Sequence, residues 1–199
     1  MISIADLAGL QADCVRRWHV QPIGNPHEGF AAIVVEQLAY NFRLWHEEDK
    51  ARSPSASDAE ISAVKRAIDK LNQQRNDWIE KLDDWITAEL SRRGIVAAPT
   101  APQNTETLGS TLDRLAILAL RIYHLAEQRD RAGATAEHRE TVGRKLAVAL
   151  SQHEDLSRSA QQLADDLFAG RKRHKTYRQL KMYNDAALNP YLYEPRKAA

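Results

Sequence analysis

Ala31-Ala32-Ile33-Val34-Val35-Glu36-Gln37-Leu38-Ala39-Tyr40-Asn41-Phe42-Arg43-Leu44-Trp45-His46-Glu47-Glu48-Asp49-Lys50-Ala51-Arg52 decides the fold. Within it Ala31, Val34, Leu38, Phe42 and Trp45 recur at intervals of three and four, the period that lays one buried stripe along an α-helix. Carried one turn further, the stripe reaches Asp49, with Asn41 and Arg52 at its edge. An inward face that ends in charge requires partners, because a buried charge is costly unless paired. Upstream, Asn25-Pro26 supplies a cap and a first-turn proline; downstream, Ser53-Pro54-Ser55 breaks the periodicity, so a helix is predicted over about 27–51.

The pattern repeats along the chain. Ser57-x-x-Glu60 reads as a capping box, and Ile61, Val64, Ile68, Leu71, Trp78, Leu82, Trp85 and Ile86 form the inward face of a helix that ends near Arg93-Gly94. The break between these two helices is short, which makes them an antiparallel hairpin. Residues 95–106 hold two prolines and no periodicity and read as a crossover connection. A third helix is predicted over about 108–131 and a fourth over about 136–169, separated by Gly133 and closed by Gly170. Ahead of all four, residues 3–20 place Ile4, Leu7, Leu10, Cys14 and Trp18 on one side of a short helix. No segment alternates with period two. The prediction is an all-α chain: a four-helix bundle of two helical hairpins joined by a crossover, with a short N-terminal helix and an irregular C-terminal tail. It forms a single domain, with an N-terminal segment 1–26, a bundle 27–169 and a basic, Tyr- and Pro-containing tail 170–199.

Composition removes several function classes. The chain has 199 residues, 43% of them hydrophobic, enough for one domain with a substantial core. Lysine and arginine total 28 against 27 acids, so no global charge draws the protein to nucleic acid or to an acidic membrane. A local basic cluster, Arg171, Lys172, Arg173, Lys175, Arg178 and Lys181 with Tyr177 and Tyr183, could contact phosphates and stack on bases, but such runs are usually solvated and nucleic-acid binding is disfavoured. Cys14 is the single cysteine, which excludes an intrachain disulfide and carries no nucleophile pattern. No apolar run approaches the roughly 18–20 residues that span a bilayer, and the first residues lack a signal-peptide pattern, so a soluble, cytoplasmic protein is expected. Phosphate-binding glycine loops and serine-hydrolase elbows are absent from the sequence.

Two polar constellations carry the chemistry. Trp45-His46-x-x-Asp49 is echoed by Tyr123-His124-x-x-Glu127, and residues three apart share a helix face, so each pair directs an imidazole and a carboxylate to one point. If the hairpins face each other, His46, Asp49, His124 and Glu127 form a first-row metal site for Fe, Mn or Zn, with Glu60 and Glu140 as facing acids. Without a metal, His46 and His124 serve as acid–base groups near neutral pH. A deeper layer, Asn41, Asp69, Asn72, Arg75, Asp113 and Gln152, sits on or beside inward faces and suits a phosphate or carboxylate ligand clamped by the planar fork of Arg75. The structural reading competes with both: Glu48 pairs Arg52, Glu127 pairs Arg131, and Arg75 pairs Asp69 or Asp113 to fix helix register. His19, His138 and His153 read as surface or packing residues.

Several strings together resemble one family: Asn41-Phe42-x-Leu44-Trp45-His46-x-Glu48-Asp49-x-Ala51-Arg52, Ile68-Asp69-x-Leu71-Asn72-Gln73-x-Arg75-Asn76-Asp77, Asp113-Arg114-Leu115, Ile122-Tyr123-His124 and Leu180-Lys181-Met182-Tyr183-Asn184-Asp185. The sequence is similar here to bacterial proteins catalogued as domain of unknown function 4254. The resemblance implies an association with surface-polysaccharide gene neighbourhoods and supplies no catalytic residue. The expected function is therefore a helical-bundle protein with an internal polar site, metal-assisted or phosphate-binding, that acts on or binds a small phosphorylated or carbohydrate-related molecule. The alternative is a non-catalytic interaction or structural protein, open to homo-oligomerisation, whose inward polar residues only fix the packing.

Overall fold

A computed structural model describes residues 2–179, 182 and 185–193. Lys181 and Tyr183 of the predicted basic tail lie outside the described residues. The described elements are helices: α1 Ile4–Trp18, α2 Gly29–Lys50, α3 Asp58–Arg92, α4 Leu108–Asp130, α5 Ala136–Phe168 and the single turn α6 Pro190–Tyr193. Among the described residues no strand forms; Gln103 and Arg173 share one isolated bridge.

The helix starts follow side-chain chemistry. Ser57 Oγ accepts the Glu60 amide at 3.3 Å while Glu60 Oε2 accepts the Ser57 amide at 2.8 Å, completing the predicted capping box of α3. Ser3, Thr107 and Thr135 cap α1, α4 and α5 through the side-chain oxygen alone, with no return bond. The start of α2 differs from expectation. Asn25-Pro26 precedes the helix without entering it: the chain stays extended to Glu28, Asn25 Nδ2 reaches forward to the Ala32 carbonyl at 2.9 Å, and Gly29 opens the helix at φ +58°.

α2 pairs with α3 and α4 with α5 as two hairpins, and α4 touches each of α1, α2, α3 and α5. The N-terminal helix is a full partner in this packing and no accessory segment. α1 lies against α2, α4 and α5, and buries Ile4, Leu7, Cys14, Val15 and Trp18. Its stripe thus completes two cores. One gathers Ile4, Leu7, Val34, Leu82, Ile86, Leu108, Leu112 and Leu163; the other gathers Cys14, Trp18, Leu38, Phe42, Ala116 and Leu120 at the end where α2 turns polar.

α3 and α4 approach closely at Gly109, whose amide donates to the buried Asp83 Oδ1 at 2.9 Å. After α5 the chain runs back along α3. Arg178 donates to Glu80 at 2.9 Å and Asp84 at 2.7 Å, and Arg171 and Lys172 both reach Asp166. The described tail cations are therefore largely occupied by the protein's own acids. Among the described residues no helix is long and apolar enough to cross a membrane.

Candidate functional site

The polar end of the α2 stripe opens into a cleft of about 350 Å³ between α2, α3 and α4. Leu44, Trp45, Ile117 and Leu120 form its apolar wall; Asn41, Glu48, Asp49, Arg52 and Arg75 supply the polar groups. Asn41 and Arg75 are tied to Asp113, which does not itself line the cleft and stands one turn beyond Gly109 on α4, 4% exposed. A single oxygen of Asp113, Oδ1, accepts Gln37 Nε2 at 2.5 Å and Asn41 Nδ2 at 2.9 Å, and lies 3.2 Å from Arg75 Nε. Burial pushes the Asp113 carboxyl above its ordinary pKa; Arg75, then Asn41 and Gln37, pull it back.

The Arg75 contact is ionic rather than a well-directed hydrogen bond, since Nε is buried without an aligned acceptor. Its two terminal nitrogens bond no protein group among the described residues, and the side chain lines the cleft. Arg52 is partly committed: Nη1 donates to Glu48 Oε2 at 2.8 Å. Asp49 is exposed and forms no ion pair among the described residues.

On the far side of Trp45 a second constellation forms. The rings of His19, His46 and His124 gather with centroid separations of 5.3 Å, 5.0 Å and 5.6 Å, and one nitrogen from each lies within 4.8 Å of the others. Aromatic neighbours fix the rings. His19 stacks on Tyr123 at 3.8 Å, His46 leans on Phe42 at 4.4 Å, and His124 lies nearly parallel to Trp45 at 5.1 Å. His19 Nδ1 donates to the Val15 carbonyl at 2.7 Å and His46 Nδ1 to the Phe42 carbonyl at 2.8 Å, each four residues back on its own helix. His124 Nδ1 faces Glu127 Oε2 at 3.3 Å. Burial lowers the pKa of His19, and the neighbouring His124 and His46 add to that, which favours the neutral ring.

A model of one protein family, described as protein of unknown function (DUF4254), matches residues 31–176. The chain belongs to this family. No curated protein and no solved structure matches it. The part shared with DUF4254 takes in Arg75, Asp113, His46 and His124 and begins after α1, so His19 is contributed from outside the matched residues.

The predicted site residues divide in three. Asn41, Arg75 and Asp113 meet as one network, joined by Gln37, which the sequence reading did not single out. His46 and His124 meet, but Asp49 turns to the cleft and not to His46, while Glu127 supports His124 from an exposed position. The proposed facing acids are elsewhere: Glu60 is spent on the α3 cap and Glu140 pairs Arg144 at the surface. Asp69 and Gln152 do not join Arg75. Both are exposed; Asp69 lies six residues from Arg75, about 240° around α3, and Gln152 lines a separate groove with Arg114 and Arg121. Asn72 is half-buried and lines neither site. Arg131 donates to Gln128 rather than to Glu127.

His19, expected from the sequence at the surface or in packing, is a member of the cluster. A signal for it exists in the sequence: Trp18-His19 repeats the aromatic-His pair of Trp45-His46 and Tyr123-His124. It lacks the acid three positions on, where Pro22 stands, and so fell outside the motif.

Proposed function

We propose that the protein is a single helical domain that binds a small anionic, hydroxyl-bearing molecule, of the phosphorylated or carbohydrate-related class, in the cleft between α2, α3 and α4. The observation that carries this reading is the division of labour on Arg75. Its Nε side is held by buried Asp113, and its terminal nitrogens are left for the cleft. A guanidinium anchored from behind loses little freedom when its outer edge receives a phosphate or carboxylate, and two parallel N–H bonds to such a group are charge-assisted. Glu48 and Asp49 offer carboxylate oxygens that accept from hydroxyl groups, and Trp45 offers an apolar wall. A volume of about 350 Å³ lies at the small end of ligand pockets, which matches a molecule of one ring and one anionic group.

The test is a thermal-shift and calorimetric screen of the full chain against sugar phosphates, nucleotides and sugar acids, in parallel with Arg75→Lys. Lysine keeps the charge beside Asp113 but cannot anchor one edge and present another. At least one compound should stabilise the wild type and lose at least tenfold in affinity in the variant. Equal affinity for wild type and variant, or no stabilising compound in the panel, would count against the cleft. The non-catalytic alternative draws on a specific observation: Gln37, Asn41 and Arg75 already converge on Asp113, so the network has a packing role without any ligand.

A further inference from the structure

We infer that His19, His46 and His124 form a site for one divalent first-row transition ion, with Zn²⁺ the best match, in which the residue that caps the C-terminus of α1 supplies a ligand that the Arg75 cleft does not involve. The argument starts from tautomers. A backbone carbonyl can only accept, so the contacts of His19 Nδ1 with Val15 O and of His46 Nδ1 with Phe42 O place a proton on each Nδ1. An ionised Glu127 carboxylate likewise makes His124 Nδ1 the donor. In the neutral rings every Nε2 is then a bare lone pair.

Those lone pairs lack donors. His19 Nε2 and His124 Nε2 are buried with no hydrogen-bond partner, while His46 Nε2, which makes no hydrogen bond among the described residues, stands at the solvent side of the group. Three acceptors cannot satisfy one another. A cation satisfies all three together, and the arrangement of Nδ1–H on a carbonyl or carboxylate with Nε2 free is the support that metal-bound histidines ordinarily carry.

The geometry needs a small adjustment. Nitrogens bound at about 2.0–2.1 Å to a tetrahedral ion sit roughly 3.4 Å apart, so rings whose nitrogens now lie within 4.8 Å must turn inward on binding. Three neutral imidazoles suit Zn²⁺ or Co²⁺ better than Mg²⁺ or Ca²⁺, which prefer oxygen ligands, and they leave a tetrahedral ion one further position. The carboxylates Asp49 and Glu127 are not needed as direct ligands. Glu127 instead orients His124.

The experiment uses the full chain with any affinity tag removed, dialysed against EDTA, then titrated with Zn²⁺ by calorimetry and with Co²⁺ by visible absorption. One equivalent of Zn²⁺ should bind and raise the melting temperature, and Co²⁺ should give the intense visible bands of a low-symmetry four-coordinate site. His19→Gln, His46→Gln and His124→Gln should each lower Zn²⁺ affinity by more than the 10- to 100-fold that loss of a supporting hydrogen bond costs, while His138→Gln leaves it unchanged. A readout on the wild type alone removes dependence on the variants' folding. Long-range ¹H–¹⁵N spectra should show Zn²⁺ shifting the Nε2 signals of three of the seven histidines, with their Nδ1 remaining protonated. Unshifted imidazole signals, or unchanged Zn²⁺ affinity in folded His19→Gln, would overturn the inference and leave the three rings as an aromatic packing cluster.

Discussion

Gly109→Ala tests whether the close contact of α3 and α4 positions the Arg75 cleft. A Cβ at residue 109 would stand 2.7 Å from Asp83 Oδ1, 2.8 Å from Asp83 Cγ and 2.9 Å from the Ile79 carbonyl oxygen. The last of these is backbone in the middle of α3 and cannot rotate away, so α4 must retreat by about 0.5 Å to restore ordinary contact. Retreat also stretches the Gly109 amide bond to Asp83, a buried carboxylate whose pKa is already raised by desolvation. Overpacking costs about 1–3 kcal/mol and weakening a buried hydrogen bond about 1–3 kcal/mol more, while alanine's helix preference returns at most about 1 kcal/mol. The net loss is on the order of 2–4 kcal/mol, or roughly 5–15 °C in Tm for a chain of this size. Asp113 is one turn from Gly109 on α4, so the same retreat loosens its 3.2 Å contact with Arg75 and should weaken any cleft ligand. Gly143→Ala is the control. It lies inside α5, its added Cβ meets nothing within 4 Å, and the variant should gain up to about 1 kcal/mol. Urea and thermal melts of both variants decide the matter. A Gly109→Ala protein as stable as wild type would refute the claim that α4 has no room to give.

Two further outcomes are expected. Because the folded-state pKa of Asp113 lies above its ordinary value of 3.8, the folded protein holds that proton more tightly than the unfolded chain, and stability falls as pH rises from about 3.8 through the raised value and is flat beyond it. Asp113→Asn removes the titration while keeping an oxygen for Gln37 and Asn41, so wild type should lose stability relative to the variant across that window; a difference that is constant with pH, or of opposite sign, rejects the buried-carboxyl reading. Ser57→Ala removes the side-chain half of the α3 capping box and should lower Tm by about 2–4 °C, checked by circular dichroism melts, with an unchanged Tm arguing that tertiary packing alone holds that end.

What was legible in the sequence follows from how local each cause is. The five long helices and most of their ends were legible, because period and caps act within a few residues: Ser57 and Glu60 announce α3 without help from elsewhere. The role of α1 was not. A stripe of Ile4, Leu7, Cys14 and Trp18 states that one face is buried but not in which groove, and the groove between α2, α4 and α5 exists only after the hairpins pack. His19 was missed for the same reason, since its partners are brought to it from residues 46 and 124. Asp69 and Gln152 failed differently. They share a height along the helices with Arg75, and height says nothing of rotation; counting 100° per residue already turns Asp69 away.

The charged end of the α2 stripe lies open to solvent at Asp49, and the buried charge that does require a partner, Asp113 on α4, finds it in Arg75. A structural ion pair with Asp113 alone would be served by a lysine, whose compact ammonium spends itself on one partner. Arginine carries five N–H donors in a rigid fork, so one edge can face a buried carboxylate while the other remains available. The convergence of Gln37 and Asn41 on the same Asp113 oxygen strengthens this division: the carboxylate is already held by neutral donors and needs from Arg75 its charge more than its hydrogen bonds. The terminal nitrogens are thus left toward the cleft by the composition of the network. Trp45 closes the argument on the other side. Its ring lies parallel to His124 at 5.1 Å and also walls the cleft, so the aromatic stripe that buries α2 ends by separating the cleft proposed for an anion from the histidine cluster proposed for a cation.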